Sequence, residues 1–101
     1  MKVNYFNQDN TIRILVDEET IDIENADQLR EILIDQVYTG NTDLLLDLQK
    51  VTFIDSSGLG ALVYGLREAR RYKGSIRVSG LTEHVSSMFS ITRLNKIFEV
   101  I

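Results

Sequence analysis

The chain has 101 residues, no cysteine and no proline, with 44% hydrophobic and 26% charged residues and a net charge of −4. That composition excludes a disordered tail, a disulfide scaffold and a thiolate metal site. The acidic balance argues against nucleic acid as a partner, which calls for a basic surface, and the expected reading is one domain over residues 1–101.

In chain order, residues 3–8 (VNYFNQ) and 11–16 (TIRILV) read as strands. Asp9 and Asn10 between them predict a tight hairpin. DEETIDIE follows as an acidic connection. Asn25 stands three residues before Gln28, the spacing of a capping box. Ala26, Leu29, Leu33 and Val37 then recur at helical intervals, and Gly40 closes that helix. LLLDL (44–48) is a short apolar run suited to a buried strand, and VTFI (51–54) extends it. Leu59, Leu62, Val63, Leu66 and Ala69 form one apolar helix face, running to Gly74. SIRVS (75–79) alternates as a strand does, and Gly80 turns the chain. Thr82 is placed to cap a last helix with Val85, Met88 and Phe89 inward. KIFEVI (96–101) predicts a terminal strand.

The resulting order, β-β-α-β-α-β-α-β, predicts an α/β fold: a small mixed sheet, an N-terminal hairpin plus parallel strands, with three to four helices. No stretch approaches the ~20 apolar residues of a membrane span. The N-terminus has no signal-peptide pattern. The chain is therefore expected in the cytoplasm, without membrane insertion.

Charge is unevenly placed. Residues 1–60 hold 4 basic and 12 acidic side chains, whereas residues 61–101 hold 7 basic and 3 acidic. Arg70, Arg71 and Lys73 fall where a helix should end, and cations there complement its dipole. A docking patch for an acidic partner is the minor reading of the same residues.

In sheets of this kind, sites lie at the carboxyl ends of strands. DSSGLG (55–60) occupies such an end, and so does Asp22 if the second and third strands are neighbours. A dinucleotide fingerprint would need a third glycine where Val63 stands, and a P-loop would need a lysine. A hydrolase elbow would need glycine at Ile54. The one histidine, His84, reads as a surface residue of the last helix rather than a catalytic base. Asp22, Asp47 and Asp55 near strand ends have the oxygen ligands for Mg²⁺, but turn and cap roles suit them better, so no metal or cofactor is expected.

Two readings of the joint remain from the residues alone. In the first, Ser56 or Ser57 caps the helix, Asp55 complements its positive end and the glycines permit close packing. In the second, Gly58 and Gly60, each costing up to ~1 kcal/mol within a helix, are kept so that another molecule can approach an exposed hydroxyl.

The run FIDSSGLGALV (53–63) strongly resembles the signature of STAS domains, in particular the bacterial anti-sigma factor antagonists. The resemblance extends to the acidic turn EETID and the closing segment MFSITRLNKIF. It implies that Ser56, directly after the aspartate, is a phosphoacceptor. It further implies that Asp22, Asp55, Ser57, Gly58, Leu59 and Gly60 form the partner-binding face. The implied partners are an anti-sigma factor serine kinase, which the unphosphorylated form binds to free a sigma factor, and a metal-dependent serine phosphatase. The protein itself would be no enzyme, and a monomer exchanging partners is the simplest case. Where the family pattern has Gly-Glu, this chain has Glu19 and Thr20, and Arg93 stands where the closing segment often has glycine. Two other roles are weighed beside this: a STAS subunit of a transporter or signalling scaffold, and a receiver-type phosphoacceptor using Asp47.

Overall fold

The computed structural model describes residues 1–101 as seven strands and three helices. Strand β1 (Val3–Gln8) and strand β2 (Thr11–Val16) form the expected antiparallel hairpin, with Gln8 opposite Thr11. Asp9 makes the turn at φ 58, a left-handed conformation that Asp tolerates better than most residues. Next come β3 (Thr20–Ile21), α1 (Ala26–Tyr38) and β4 (Asp43–Asp47). These are followed by β5 (Phe53–Ile54), α2 (Ser56–Arg71) and β6 (Ser75–Ser79), then α3 (Glu83–Ile91), a 3-10 turn (Leu94–Lys96) and β7 (Glu99–Val100).

The main sheet runs β1-β2-β4-β6-β7, antiparallel only at the hairpin. Successive crossovers step in one direction across it, so right-handed connections place their helices on one face. Ile14, Val16, Leu44, Leu46, Ile76 and Val78 line that face and are essentially buried. Leu29, Leu33 and Val37 of α1 and Leu62, Leu66 and Ala69 of α2 pack against them, as their helical spacing predicts. The opposite face carries polar residues. Arg13 pairs with Asp47 at 2.7 Å and lies over the Phe6 ring at 4.3 Å, while Arg77 reaches Asp43 at 3.6 Å.

Four expectations are corrected. VTFI does not continue β4: the chain leaves the main sheet after Asp47, and Phe53–Ile54 pairs in parallel with Thr20–Ile21 as a separate two-stranded sheet. The acidic connection thus contains a strand. The capping box is not made, because the Asn25 side chain is used elsewhere. Its Oδ1 accepts the Asp22 amide at 2.9 Å and its Nδ2 donates to the Thr20 carbonyl at 2.8 Å. Gln28 instead accepts the amino terminus of Met1. Thr82 makes no cap bond either; its hydroxyl donates to the Val51 carbonyl at 2.5 Å. Finally, only Glu99–Val100 of the last six residues is strand, since Leu94–Lys96 turns first and buries Leu94.

Candidate functional site

The two-stranded sheet builds the site. Thr20 lies opposite Phe53 and Ile21 opposite Ile54. Asp22 and Asp55 are the next residues on each strand, and the Asp55 amide donates to the Ile21 carbonyl at 3.1 Å. Asp22 then starts a turn. Its carboxylate accepts the Glu24 amide at 2.9 Å, and its carbonyl accepts the Asn25 and Ala26 amides that begin α1. Both strands of this sheet therefore run directly into a carboxylate, Asp55 at the start of α2 and Asp22 at the turn that leads into α1.

Asp55, and neither serine, caps α2. It has extended backbone (φ −104, ψ −175), and its carboxylate accepts the Gly58 amide at 3.0 Å. Its carbonyl accepts the Leu59 amide at 3.0 Å. This corrects the assignment of the cap to a serine: an aspartate takes the same bond and adds a charge that favours the helix N-terminus. Ser56 becomes the first helical residue, where its hydroxyl is free of capping duty and exposed. Its own amide and that of Ser57 precede the first amide that a helical carbonyl can accept.

The glycines separate. A Cβ on Gly58 would stand 2.6 Å from Ile54 Cγ1, 2.8 Å from Ile21 Cγ2 and 3.0 Å from the Ile21 carbonyl oxygen. Close packing inside this chain, not the approach of a partner, is what requires glycine there. A Cβ on Gly60 would meet nothing within 4 Å. Leu59, expected at the partner-binding face, is buried in the core.

Gly60 opens onto a cleft of about 380 Å³ between the N-terminal turns of α1 and α2, lined chiefly by Ile23, Ala26, Arg30, Ser57, Gly60 and Tyr64. Ser57 turns into this cleft and is half-buried, whereas Ser56 stands outside it. Ile23 is 77% exposed, and the Arg30 guanidinium lies 5.4 Å from the Tyr64 ring centre. Sequence reading missed Ile23, Arg30 and Tyr64. Ile23 gave a faint signal, as an apolar residue one strand period beyond the buried Ile21. Arg30 and Tyr64 meet only once the helices are packed.

The third carboxylate is elsewhere. Asp47 is 6% exposed and engaged by Arg13 and by the amide and side chain of Gln49. Asp22, Asp47 and Asp55 are thus not brought together, and no three His, Cys, Asp or Glu side chains converge as a metal site. Asp47 lies on the polar sheet face, paired with Arg13. His84 is also not a plain surface residue. Its Nδ1 accepts the Ile54 amide at 3.4 Å, and its ring stacks on Phe53 at 4.7 Å. No helix is long and apolar enough to cross a membrane.

A model of the STAS domain family matches residues 6–101. The anti-sigma-B factor antagonist of Bacillus subtilis strain 168 is 31% identical over 100 residues, spanning 99% of this chain and 90% of that protein. A crystal structure of a Thermotoga maritima protein described as an anti-sigma factor antagonist superposes with a TM-score of 0.86 at 25% identity, covering 97% of this chain and 84% of that one. The murine anion transporter Slc26a9 matches with a TM-score of 0.73 at 18% identity, over 86% of this chain and 14% of its own, a likeness of fold alone.

Proposed function

This chain belongs to the STAS domain family, and we propose that it is an anti-sigma factor antagonist whose partner binding is switched by phosphorylation of Ser56. Unphosphorylated, it docks on an anti-sigma serine kinase and releases a sigma factor. The kinase modifies Ser56 and the complex parts. A metal-dependent serine phosphatase restores the binding form. Nucleotide and metal belong to those enzymes, and this protein is a cytoplasmic, monomeric binding module of one domain. A relative matched along 90% of its length carries the antagonist name, whereas the transporter is matched along only 14% of its chain.

The observation that carries the reading is the placement of Ser56. It is exposed, it opens α2, and the neighbouring Asp55 has taken over the cap. A phosphate there adds about −1.5 to −2 charges at pH 7 beside the Asp55 carboxylate. Burying that charge unpaired in an interface costs on the order of several kcal/mol, a loss of ~10² to 10³ in affinity. Ser57 is the poorer acceptor because it faces the cleft. The test is to incubate the protein with the source organism's anti-sigma serine kinase and ATP, then map the phosphate by mass spectrometry. Phosphate on Ser56 is expected; phosphate mainly on Ser57, or full incorporation into Ser56→Ala, refutes the reading.

A further inference from the structure

Strand β5 has a partner on one side only. The amides of Phe53 and Asp55 turn toward β3, donating to the carbonyls of Glu19 at 3.2 Å and Ile21 at 3.1 Å. Alternation turns the Ile54 amide to the opposite edge, where no strand runs. Ile54 is fully buried, so this N–H requires an acceptor within the protein. Nδ1 of His84 supplies it at 3.4 Å, a long bond, and the imidazole is steadied by stacking on Phe53 at 15° between planes. Two residues earlier, the Thr82 hydroxyl donates to the Val51 carbonyl. The start of α3 thus gives this edge, through two side chains, what a further strand would give through its backbone.

We propose that His84 is a positioning residue for Ser56: its Nδ1 lone pair fixes the Ile54 amide, and through it the Asp55–Ser56 joint that begins α2. The proposal rests on Ser56 being the phosphoacceptor. Only Asp55 separates Ile54 from Ser56, and β5 is two residues long, so the bond to His84 acts within two residues of the phosphoacceptor. With Nδ1 accepting, the neutral ring carries its proton on Nε2. An apolar residue of the same size would fill the space and leave the amide unpaired. A misplacement of about 1 Å at a reacting group lowers rates by as much as ~10², so slack in this joint should be read by the kinase.

Two substitutions separate the lone pair from the ring. His84→Asn places an amide oxygen near the position of Nδ1 and removes the stack. His84→Phe keeps the stack and removes the acceptor. Amide hydrogen exchange at Ile54 is followed by NMR in the protein alone, with Leu44 and Leu46 of β4 as internal controls. Phosphorylation of Ser56 by the source organism's anti-sigma serine kinase is measured as separate kcat and KM.

In His84→Phe, exchange at Ile54 is expected to accelerate ~10-fold or more while the β4 amides hold, and kcat to fall ~10-fold. His84→Asn should return both to within about threefold of the parent. If His84→Phe does not fold, His84→Leu takes its place in the comparison. Parental exchange at Ile54 in the Phe variant, or equal loss of phosphorylation in the Asn and Phe variants, overturns the role of His84. A parent protein that takes no phosphate on Ser56 overturns the phosphoacceptor reading itself, and the positioning role with it. The exchange arm, which needs no kinase, tells the two failures apart.

Discussion

The same substitution two residues apart should have opposite effects. In Gly58→Ala the new methyl would stand 2.6 and 2.8 Å from carbons of Ile54 and Ile21, about 1 Å inside ordinary carbon contact. Neither isoleucine can move aside, since both are fully buried, and the Ile21 carbonyl is tied to the Asp55 amide. Overpacking of this kind costs ~1–3 kcal/mol, against ~0.4–1 kcal/mol gained by removing a glycine from the unfolded chain. The net loss is up to about 2.6 kcal/mol, or a Tm lower by up to roughly 20 °C for a domain of this size. In Gly60→Ala the methyl meets nothing, so only the gain remains, raising Tm by roughly 2–8 °C. That methyl nonetheless enters the cleft beside Ser57, so it should weaken kinase binding. Thermal unfolding and kinase calorimetry on the same preparations decide. A destabilised Gly60→Ala or a stabilised Gly58→Ala would refute the packing argument. A stabilised Gly60→Ala with undiminished affinity would remove the cleft from the interface.

Ser56→Asp should fold as the parent does and bind the anti-sigma kinase at least ~10² more weakly, whereas Ser56→Ala should bind like the parent; equal affinities in calorimetry would exclude an electrostatic switch. Asp55→Ala should lose about 0.5–2 kcal/mol of stability and Asp55→Asn much less, since asparagine also caps; urea midpoints measure the difference. Arg13→Met should destabilise by roughly 1–3 kcal/mol, because it leaves the Asp47 carboxylate buried without its cation. Adding Asp47→Leu should recover part of that loss, and a double-mutant cycle in urea reads it directly.

What the sequence disclosed follows the length of each pattern. α1 and α2 each carry several turns of apolar repeat, and Leu29, Leu33, Leu62 and Leu66 are buried as that repeat predicts. The hairpin was legible from six-residue strands around Asp9–Asn10. Strands β3 and β5 were not, because two residues hold no period and their pairing joins segments about thirty positions apart. Asn25 and Thr82 have the right type and position for caps, but tertiary partners took their side chains. DSSGLG was legible as a joint, and the resemblance it carries covers the chain. Which of its residues faces outward was not legible, because that depends on Ile21, a residue thirty-seven positions before Gly58.

The cap also bears on why a phosphate at Ser56 would act on partners rather than on the fold. The Asp55 carboxylate already satisfies the Gly58 amide, so a phosphate would find the amides of Ser56 and Ser57 still open at the helix start. Anions at such an end gain ~0.3–1 kcal/mol from the dipole, which offsets repulsion from Asp55 in a site open to water and salt. On these terms the free protein would tolerate a phosphate at Ser56. A docked partner of the proposed kind would exclude that water and bring groups that complement one carboxylate and an uncharged hydroxyl. The same phosphate would then lose solvent and screening together while Asp55 stayed beside it, so on the proposed reading the energetic penalty would fall on the complex. A serine that itself capped the helix would offer no such division, because modifying it would break the cap and disturb α2 in both states.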